Sequence, residues 1–180
     1  MKPSAVTVCL LAICCVSRAS AQVPGDGNWQ DSSNSDWQVR ANLPGWVADR
    51  AHSSGIDRKL DLSLHLNPFY QSCDFDGDGV LDAAVLVKGR RSGKIGIAIF
   101  RRASDQPHVV GASYAGPNGS DNLTWMDSWS IARRQDLSKS PYEDSPPKAK
   151  GCAIEAVKLE SAGGAIYWDG NAFVWYQIGD

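Results

Sequence analysis

Four aspartates fall within nine residues near the middle of this 180-residue chain. The run from Asp74 to Asp82 is Asp-Phe-Asp-Gly-Asp-Gly-Val-Leu-Asp, which places carboxylates at positions 1, 3, 5 and 9. Carboxylates this close repel one another, so a loop that folds them inward needs a cation to offset the repulsion. Calcium suits such a loop because it binds about six to eight oxygens from flexible carboxylates and carbonyls. The spacing therefore predicts a Ca²⁺ site.

The residues between the aspartates support this interpretation. Gly79 at position 6 permits a sharp turn, and the carbonyl of Val80 at position 7 can supply a backbone ligand. The predicted metal ligands are Asp74, Asp76, Asp78, Val80 and Asp82. Position 12 is Val85, where an EF-hand has a bidentate Glu, so we expect weak affinity, roughly 10⁻⁴ to 10⁻³ M. The alternative is an Asp/Gly-rich hairpin turn whose charges are solvated.

The D-x-D-G-D-G-x-x-D run and the apolar segment 83–87 after it resemble the calcium loops of FG-GAP and VCBS-type repeats. The resemblance covers residues 73–88. In that family the loop lies between strands and its aspartates bind calcium, which implies the same role for the four aspartates here. The family repeats the unit to close a β-propeller, whereas this chain has it once, so no propeller is implied. Asn67-Pro68-Phe69 and a Tyr-Trp-Asp-Gly run near the end are similar to small secreted bacterial proteins that contain this loop.

The first 21 residues have the features of a secretory signal peptide. Lys2 precedes an apolar stretch from Ala5 to Val16, and Ala19-Ser20-Ala21 matches an A-x-A cleavage site. The stretch is shorter than the ~20 residues that span a bilayer. We therefore expect cleavage before Gln22, a secreted or periplasmic protein and no integral membrane span in the mature chain. A short N-terminal anchor is one alternative, and a lipoprotein lipidated at Cys14 is another.

Two cysteines follow the predicted cleavage site, Cys73 and Cys152. An even pair in an oxidising compartment favours one disulfide, and two separate buried thiols are the alternative. Neither cysteine belongs to a C-x-x-C pair, so the pattern gives little support to a zinc site.

The elements that must position these residues are mostly strands. Residues 22–42 form a polar leader, predicted to be partly disordered, and 43–180 a single globular domain. A short helix is expected at 44–51 and a helical turn within 123–134, where Trp125 and Trp129 stand four residues apart. Alternating or continuous apolar runs predict strands at 60–67, 83–87, 95–100, 108–113, 153–160, 165–168 and 172–177, with a short helix as the alternative at 153–160. The expected fold class is α+β, with an antiparallel sheet of about six or more strands covered by short helices, and not a propeller.

Charge and motifs limit the function. The net charge of −2 argues against a nucleic-acid binder. The basic residues around 90–102 are interpreted as a solvated sheet edge. Trp125 and Trp129 are candidate ligand contacts beside a Gly/Asn-rich loop. No motif of a serine hydrolase or metalloprotease occurs.

We therefore expect a calcium-stabilised, non-enzymatic module that binds a protein or a glycan. A secreted hydrolase with an unrecognised carboxylate site is the main alternative, with Asp127 and Glu143 or Glu155 and Glu160 as candidate pairs. A structural envelope protein is a third hypothesis.

Overall fold

The computed structural model describes Trp29 and residues 42–179. The predicted signal peptide and nearly all of the predicted leader lie outside the described residues. The described part is built from two antiparallel sheets with few helical segments, so it is mostly β rather than the α+β fold expected from the sequence. Neither sheet belongs to a propeller.

The first sheet contains five strands in the described part of the chain. They are β1 (Leu60–Leu62), β2 (Tyr70–Cys73), β3 (Asp82–Gly89), β4 (Ile95–Phe100) and β5 (His108–Gly111). The order is β1-β3-β4-β5, and β2 pairs with the same edge of β3 as β1 does. The predicted hairpin of β3 and β4 is confirmed, with Ala83 opposite Phe100 and Lys88 opposite Ile95.

Among residues 42–179, the second sheet contains four strands in consecutive order. They are β6 (Ser128–Ala132), β7 (Ala153–Lys158), β8 (Ala162–Trp168) and β9 (Phe173–Gly179). The turn between β8 and β9 is the predicted Asp-Gly turn, in which Oδ1 of Asp169 accepts the N–H groups of Asn171 and Ala172. Those two hydrogen bonds lower the pKa of the Asp169 carboxyl.

The first sheet lies between the helix on one side and the second sheet on the other, and this explains why β3 and β4 are apolar on both faces. Ala83, Val85 and Val87 pack on one side with α1 (Gly45–Ser54) and Trp29. The alternate side chains of β3 face the second sheet in a separate core cluster. Because successive side chains of a strand point to opposite faces, a strand buried between two layers shows the continuous apolar run that the sequence has here. A third cluster lies on the outer face of the second sheet.

The helix confirms the prediction at 44–51 and extends it to Ser54. Pro44 precedes it, as proline tolerates the first turn of a helix, and Gly55 ends it with φ of 71°. Trp29 is buried against this layer, where its Nε1 donates to the carbonyl of Leu60 at 3.0 Å. Its ring meets Phe100 edge-on.

Two predicted elements are wrong in type or extent. The alternating run at 60–67 is a strand only as far as Leu62, because the chain turns out of the sheet where the Ser63 hydroxyl accepts the N–H of His65. The chain returns at Phe69, whose carbonyl accepts the N–H of Leu86. The helical turn expected within 123–134 is replaced by β6, since Trp129 pairs with Ala156 of the neighbouring strand.

No helix in the described part of the chain has both the length and the apolar character needed to cross a membrane.

Candidate metal centre

Three of the four aspartates of the loop come together at the start of β3. Asp74, Asp76 and Asp78 each offer a carboxylate oxygen, and these oxygens lie within 4.8 Å of one another. Oxygens at this separation can reach one cation with metal–oxygen bonds of about 2.4 Å. The described residues thus contain an acidic group that could hold a metal ion.

The loop closes around Asp74. Its Oδ1 accepts the N–H of Gly77 at 2.6 Å, and its Oδ2 accepts the N–H of Gly79 at 2.9 Å. Asp78 repeats the motif on a smaller scale, since its Oδ1 accepts the N–H of Val80 at 2.7 Å. Aspartates favour such local bonds to their own backbone, which explains why this sequence forms a compact turn. Val80 therefore lies at the tip of the turn, where its side chain is exposed.

The fourth predicted ligand, Asp82, is held apart from the other three. Its side chain is fully buried, with Oδ2 accepting the N–H of Phe75 at 3.1 Å and Oδ1 accepting the N–H of Arg102 at 2.8 Å. Burial raises the pKa of Asp82 to about 6, against the lowering effect of the two hydrogen bonds. The charges of Asp76 and Asp78 raise it further. Asp82 thus fastens the loop to the end of β4 and is not a member of the acidic group.

Arg101 supplies a positive charge to the loop from within the protein. Its Nη1 lies 3.4 Å from Oδ2 of Asp76, whose side chain is 7% exposed. The same guanidinium stacks over the ring of Trp168, 4.0 Å from its centroid. The loop is therefore neutralised in part by a cation that also contacts the second sheet.

The loop packs closely against the segment that leads into β7. The N–H of Cys152 donates to the carbonyl of Asp74 at 2.7 Å, and Gly77 has a φ of 78°. A methyl group at Gly77 would lie 2.5 Å from the carbonyl oxygen of Lys150. At Gly151 it would lie 2.1 Å from the carbonyl oxygen of Asp74. Both glycines permit a backbone-to-backbone approach that no other residue allows.

The two cysteines cross-link the sheets at this point. Cys73 ends β2 and Cys152 precedes β7, and their Cα atoms lie 6.2 Å apart with the sulfurs within bonding distance. The predicted pairing is therefore confirmed. It joins the loop directly to its neighbour in the second sheet.

The two tryptophans proposed as ligand contacts have different surroundings. Trp129 is 5% exposed and its Nε1 donates to the carbonyl of Pro68 at 2.6 Å, so its indole belongs to the core between the sheets. Trp125 is half-buried and meets Trp175 edge-on, with ring centroids 6.3 Å apart. Neither lies in the acidic group. Their spacing in the sequence is that of a helix face, but Trp129 lies in the strand at 128–132 and Trp125 lies in the turn that precedes it.

Three of the four carboxylates considered for hydrolysis serve the backbone or a neighbouring hydroxyl. Asp127 accepts the N–H of Leu159, and Glu143 accepts the N–H of Gln177. Glu155 accepts the hydroxyl of Ser130. These hydrogen bonds account for the three residues as parts of the second sheet and its covering loop.

Sequence reasoning missed Arg101, which was interpreted as part of a solvated edge. The predicted hairpin could have identified it. A turn at 90–94 sets the register of β3 and β4, and that register places Arg101 beside the start of β3. No family model, curated protein or solved structure matches the chain.

Proposed function

We propose that the protein is a secreted or periplasmic binding module that calcium stabilises. The observation that supports this most directly is the group of three carboxylates within 4.8 Å at the place where the two sheets are cross-linked. An ion bound there would hold the loop in the shape that fits the second sheet. Its role would be structural, and a protein or a glycan would bind elsewhere on the surface.

Calcium is the proposed ion because of the donor set. Carboxylate and carbonyl oxygens are hard ligands, and the exposed side of the loop leaves room for water molecules to complete the coordination. The proposed protein ligands are Asp74, Asp76 and Asp78 with the carbonyl of Val80. The resemblance of residues 73–88 to FG-GAP and VCBS-type loops supports the same ion.

The position of Arg101 predicts competition. A cation bound by Asp76 must share that carboxylate with the guanidinium or displace it, and both outcomes weaken binding. Together with the absence of a Glu at position 12, this favours the weak affinities of extracellular calcium modules, about 10⁻⁴ to 10⁻³ M.

The carboxyl with the raised pKa does not favour a hydrolase. A general acid must reach its substrate, whereas Asp82 is fully buried and both of its oxygens accept backbone N–H groups. We therefore retain the non-enzymatic module as the proposal.

Thermal unfolding in calcium and in chelator tests the proposal. A ligand that binds only the native state stabilises it by about 2.7 kcal/mol at a hundredfold excess over Kd. We expect the wild-type midpoint to rise with calcium concentration. Asp78→Asn keeps an oxygen that can accept the N–H of Val80 but removes the charge, so it should lose most of the rise. Asp76→Ala should lose all of it.

Asp144→Ala is the matched control, because Asp144 is exposed in the loop that covers the second sheet. It should retain the full calcium response. Equal wild-type midpoints in calcium and in chelator would reject the metal site. A response that survives Asp76→Ala and Asp78→Asn would place calcium somewhere else.

A further inference from the structure

A groove of about 690 Å³ opens at the end of β3 that is remote from the acidic loop. Three segments line it: the start of β1, the turn between β3 and β4, and the chain that leaves β5. Its charged side chains come from the first two segments and are Arg58, Lys59, Asp61, Arg90 and Arg91. The volume is within the range of about 300 to 1,000 Å³ that small-molecule sites occupy.

The groove has an excess of positive charge. Four cationic side chains face one carboxylate, that of Asp61, which pairs with Nη2 of Arg90 at 2.7 Å. Among the residues that the structure describes, no carboxylate lies at ion-pair distance from Arg58, Lys59 or Arg91. All three are exposed, so their charges are available to a ligand from solution.

Arg90 is held in place, but not all of its hydrogen-bond donors have a partner. Its backbone N–H donates to the carbonyl of Lys59 at 3.0 Å, which joins two of the three lining segments. Its Nε is buried and has no hydrogen-bond partner, although Nη2 is engaged by Asp61. A buried donor without a partner is unfavourable.

The third wall of the groove is conformationally strained. Gly111, Ala112 and Ser113 have φ angles of 78°, 51° and 77° in succession. Residues other than glycine rarely adopt such angles, and strain of this kind concentrates at functional sites. The strained backbone is fixed by the N–H of Ala112, which donates to the carbonyl of Ile95 at 2.9 Å. Tyr114 follows immediately and adds an aromatic ring to the lining.

We infer that this groove binds a small ligand with an oxyanion, a carboxylate or a phosphate group. The planar guanidinium fork of arginine matches both groups in a two-point contact, which a neutral ligand cannot use. The hydroxyls of Ser92 and Ser113 and the ring of Tyr114 suit a hydroxylated body such as a sugar acid or a sugar phosphate. This site deepens the binding part of the proposed function and does not include the acidic loop.

Isothermal titration with three probes tests the inference: glucuronate, inorganic phosphate and neutral glucose. Each titration is done in chelator and in calcium, so that a failure of the metal site leaves this result interpretable. We expect at least one anion to bind in both buffers and glucose not to bind. Glucuronate alone identifies a carboxylate ligand, and phosphate alone identifies a phosphate ligand.

Paired variants locate the site. Arg58→Gln with Arg91→Gln should weaken anion binding on the order of tenfold, since two charged contacts are lost. Arg133→Gln with Arg134→Gln removes the same charge from exposed positions outside the groove and should change affinity less than twofold. In wild type, amide NMR shifts on titration should concentrate at Ser92 and Ser113.

Three results would overturn the inference. They are a lack of binding by both anions, equal binding of glucose and glucuronate, or an equal loss of affinity in the two double variants. The last result would show that the variants weaken anion binding only by lowering the net positive charge of the protein.

Discussion

The two ends of β3 form opposite electrostatic surfaces. Its eight residues span about 25 Å, with the acidic loop before Asp82 and the basic groove around Arg90. At the acidic end, backbone N–H groups and Arg101 already engage the carboxylates. At the basic end, Arg58, Lys59 and Arg91 have no carboxylate partner within the part of the chain described here.

This difference shows how little a net charge of −2 reveals about binding. Aspartate is short enough to bond its own turn, so a loop can hold negative charge in a compact form. Arginine and lysine extend their charged ends from the backbone into solvent. A nearly neutral chain can therefore present a separate anionic and a separate cationic site.

The largest expected effect concerns the covalent link at the acidic end. Replacing Cys73 and Cys152 by alanine removes a cross-link that closes a 79-residue separation. The chain-entropy model gives a loss of about 4 kcal/mol in unfolding free energy, measured by urea titration. Calcium affinity should fall as well, whereas anion affinity at the basic end should not change. A parallel loss at both ends would show that the two ends are not independent.

Glycine substitutions compare the two ends directly. Gly77 and Gly93 both have positive φ, 78° and 69°, but a methyl group at Gly77 would collide with the backbone at Lys150 while Gly93 has open space. Gly93→Ala should cost about 1 kcal/mol for backbone strain alone. Gly77→Ala should cost about 3 kcal/mol, because the sheets must also separate. Chemical denaturation of both variants in chelator measures the difference, and equal costs would contradict the close packing.

The pH dependence of stability reports on Asp82. Its folded-state pKa of about 6 exceeds the ordinary value of 3.8, so the folded state binds this proton more tightly than the unfolded state. The protonated Asp82 therefore contributes to the free energy of unfolding. This contribution, roughly 2 to 3 kcal/mol, is full below about pH 4 and is lost as the pH rises through 6. Urea unfolding from pH 4 to 7 in chelator should show this decline, and Asp82→Asn should lack it.

Calcium should reduce the same decline. A cation near the loop favours the ionised carboxylate and lowers its pKa toward the ordinary value. A decline that is unchanged by saturating calcium would place the ion far from Asp82.

The smallest expected effect concerns the ion pair of Asp61 and Arg90. Both side chains are partly exposed, at 34% and 23%, and such pairs contribute about 0.5 kcal/mol. Asp61→Asn should therefore leave the unfolding free energy nearly unchanged. It should strengthen anion binding severalfold, because it removes the carboxylate that faces the groove. A weaker affinity in this variant would mean that Asp61 positions Arg90 for the ligand.

Periodicity predicted the elements whose burial is simple. The runs at 83–87 and 95–100 are strands buried on both faces, and the Asp-Gly turn at 169–170 is a hairpin. Periodicity gave a wrong prediction at Leu64 and Leu66, where the alternation continues although the chain has already left the sheet. It also failed at Trp129, because a spacing of four residues fits a helix and a strand position equally well.

The sequence predicts which aspartates belong to the loop but not which of them is buried. Spacing identified Asp74, Asp76 and Asp78, which the fold brings together. Spacing gave Asp82 the same role, because a sequence does not reveal that both of its oxygens accept distant backbone N–H groups. The basic groove could not be predicted either, because it also depends on contacts between distant residues. Arg58 and Arg91 are separated by 33 positions and meet only through the pairing of β1 with β3.

The cross-link between Cys73 and Cys152 also determines what a protease can release. The exposed chain between β6 and β7 offers Arg133, Arg134 and Lys139 to trypsin-like enzymes, and all three lie between the bonded cysteines. A single cut there leaves two polypeptides that stay joined through the disulfide. Outside the cytosol, where proteases are common and reductants scarce, the nicked molecule would keep its two sheets together.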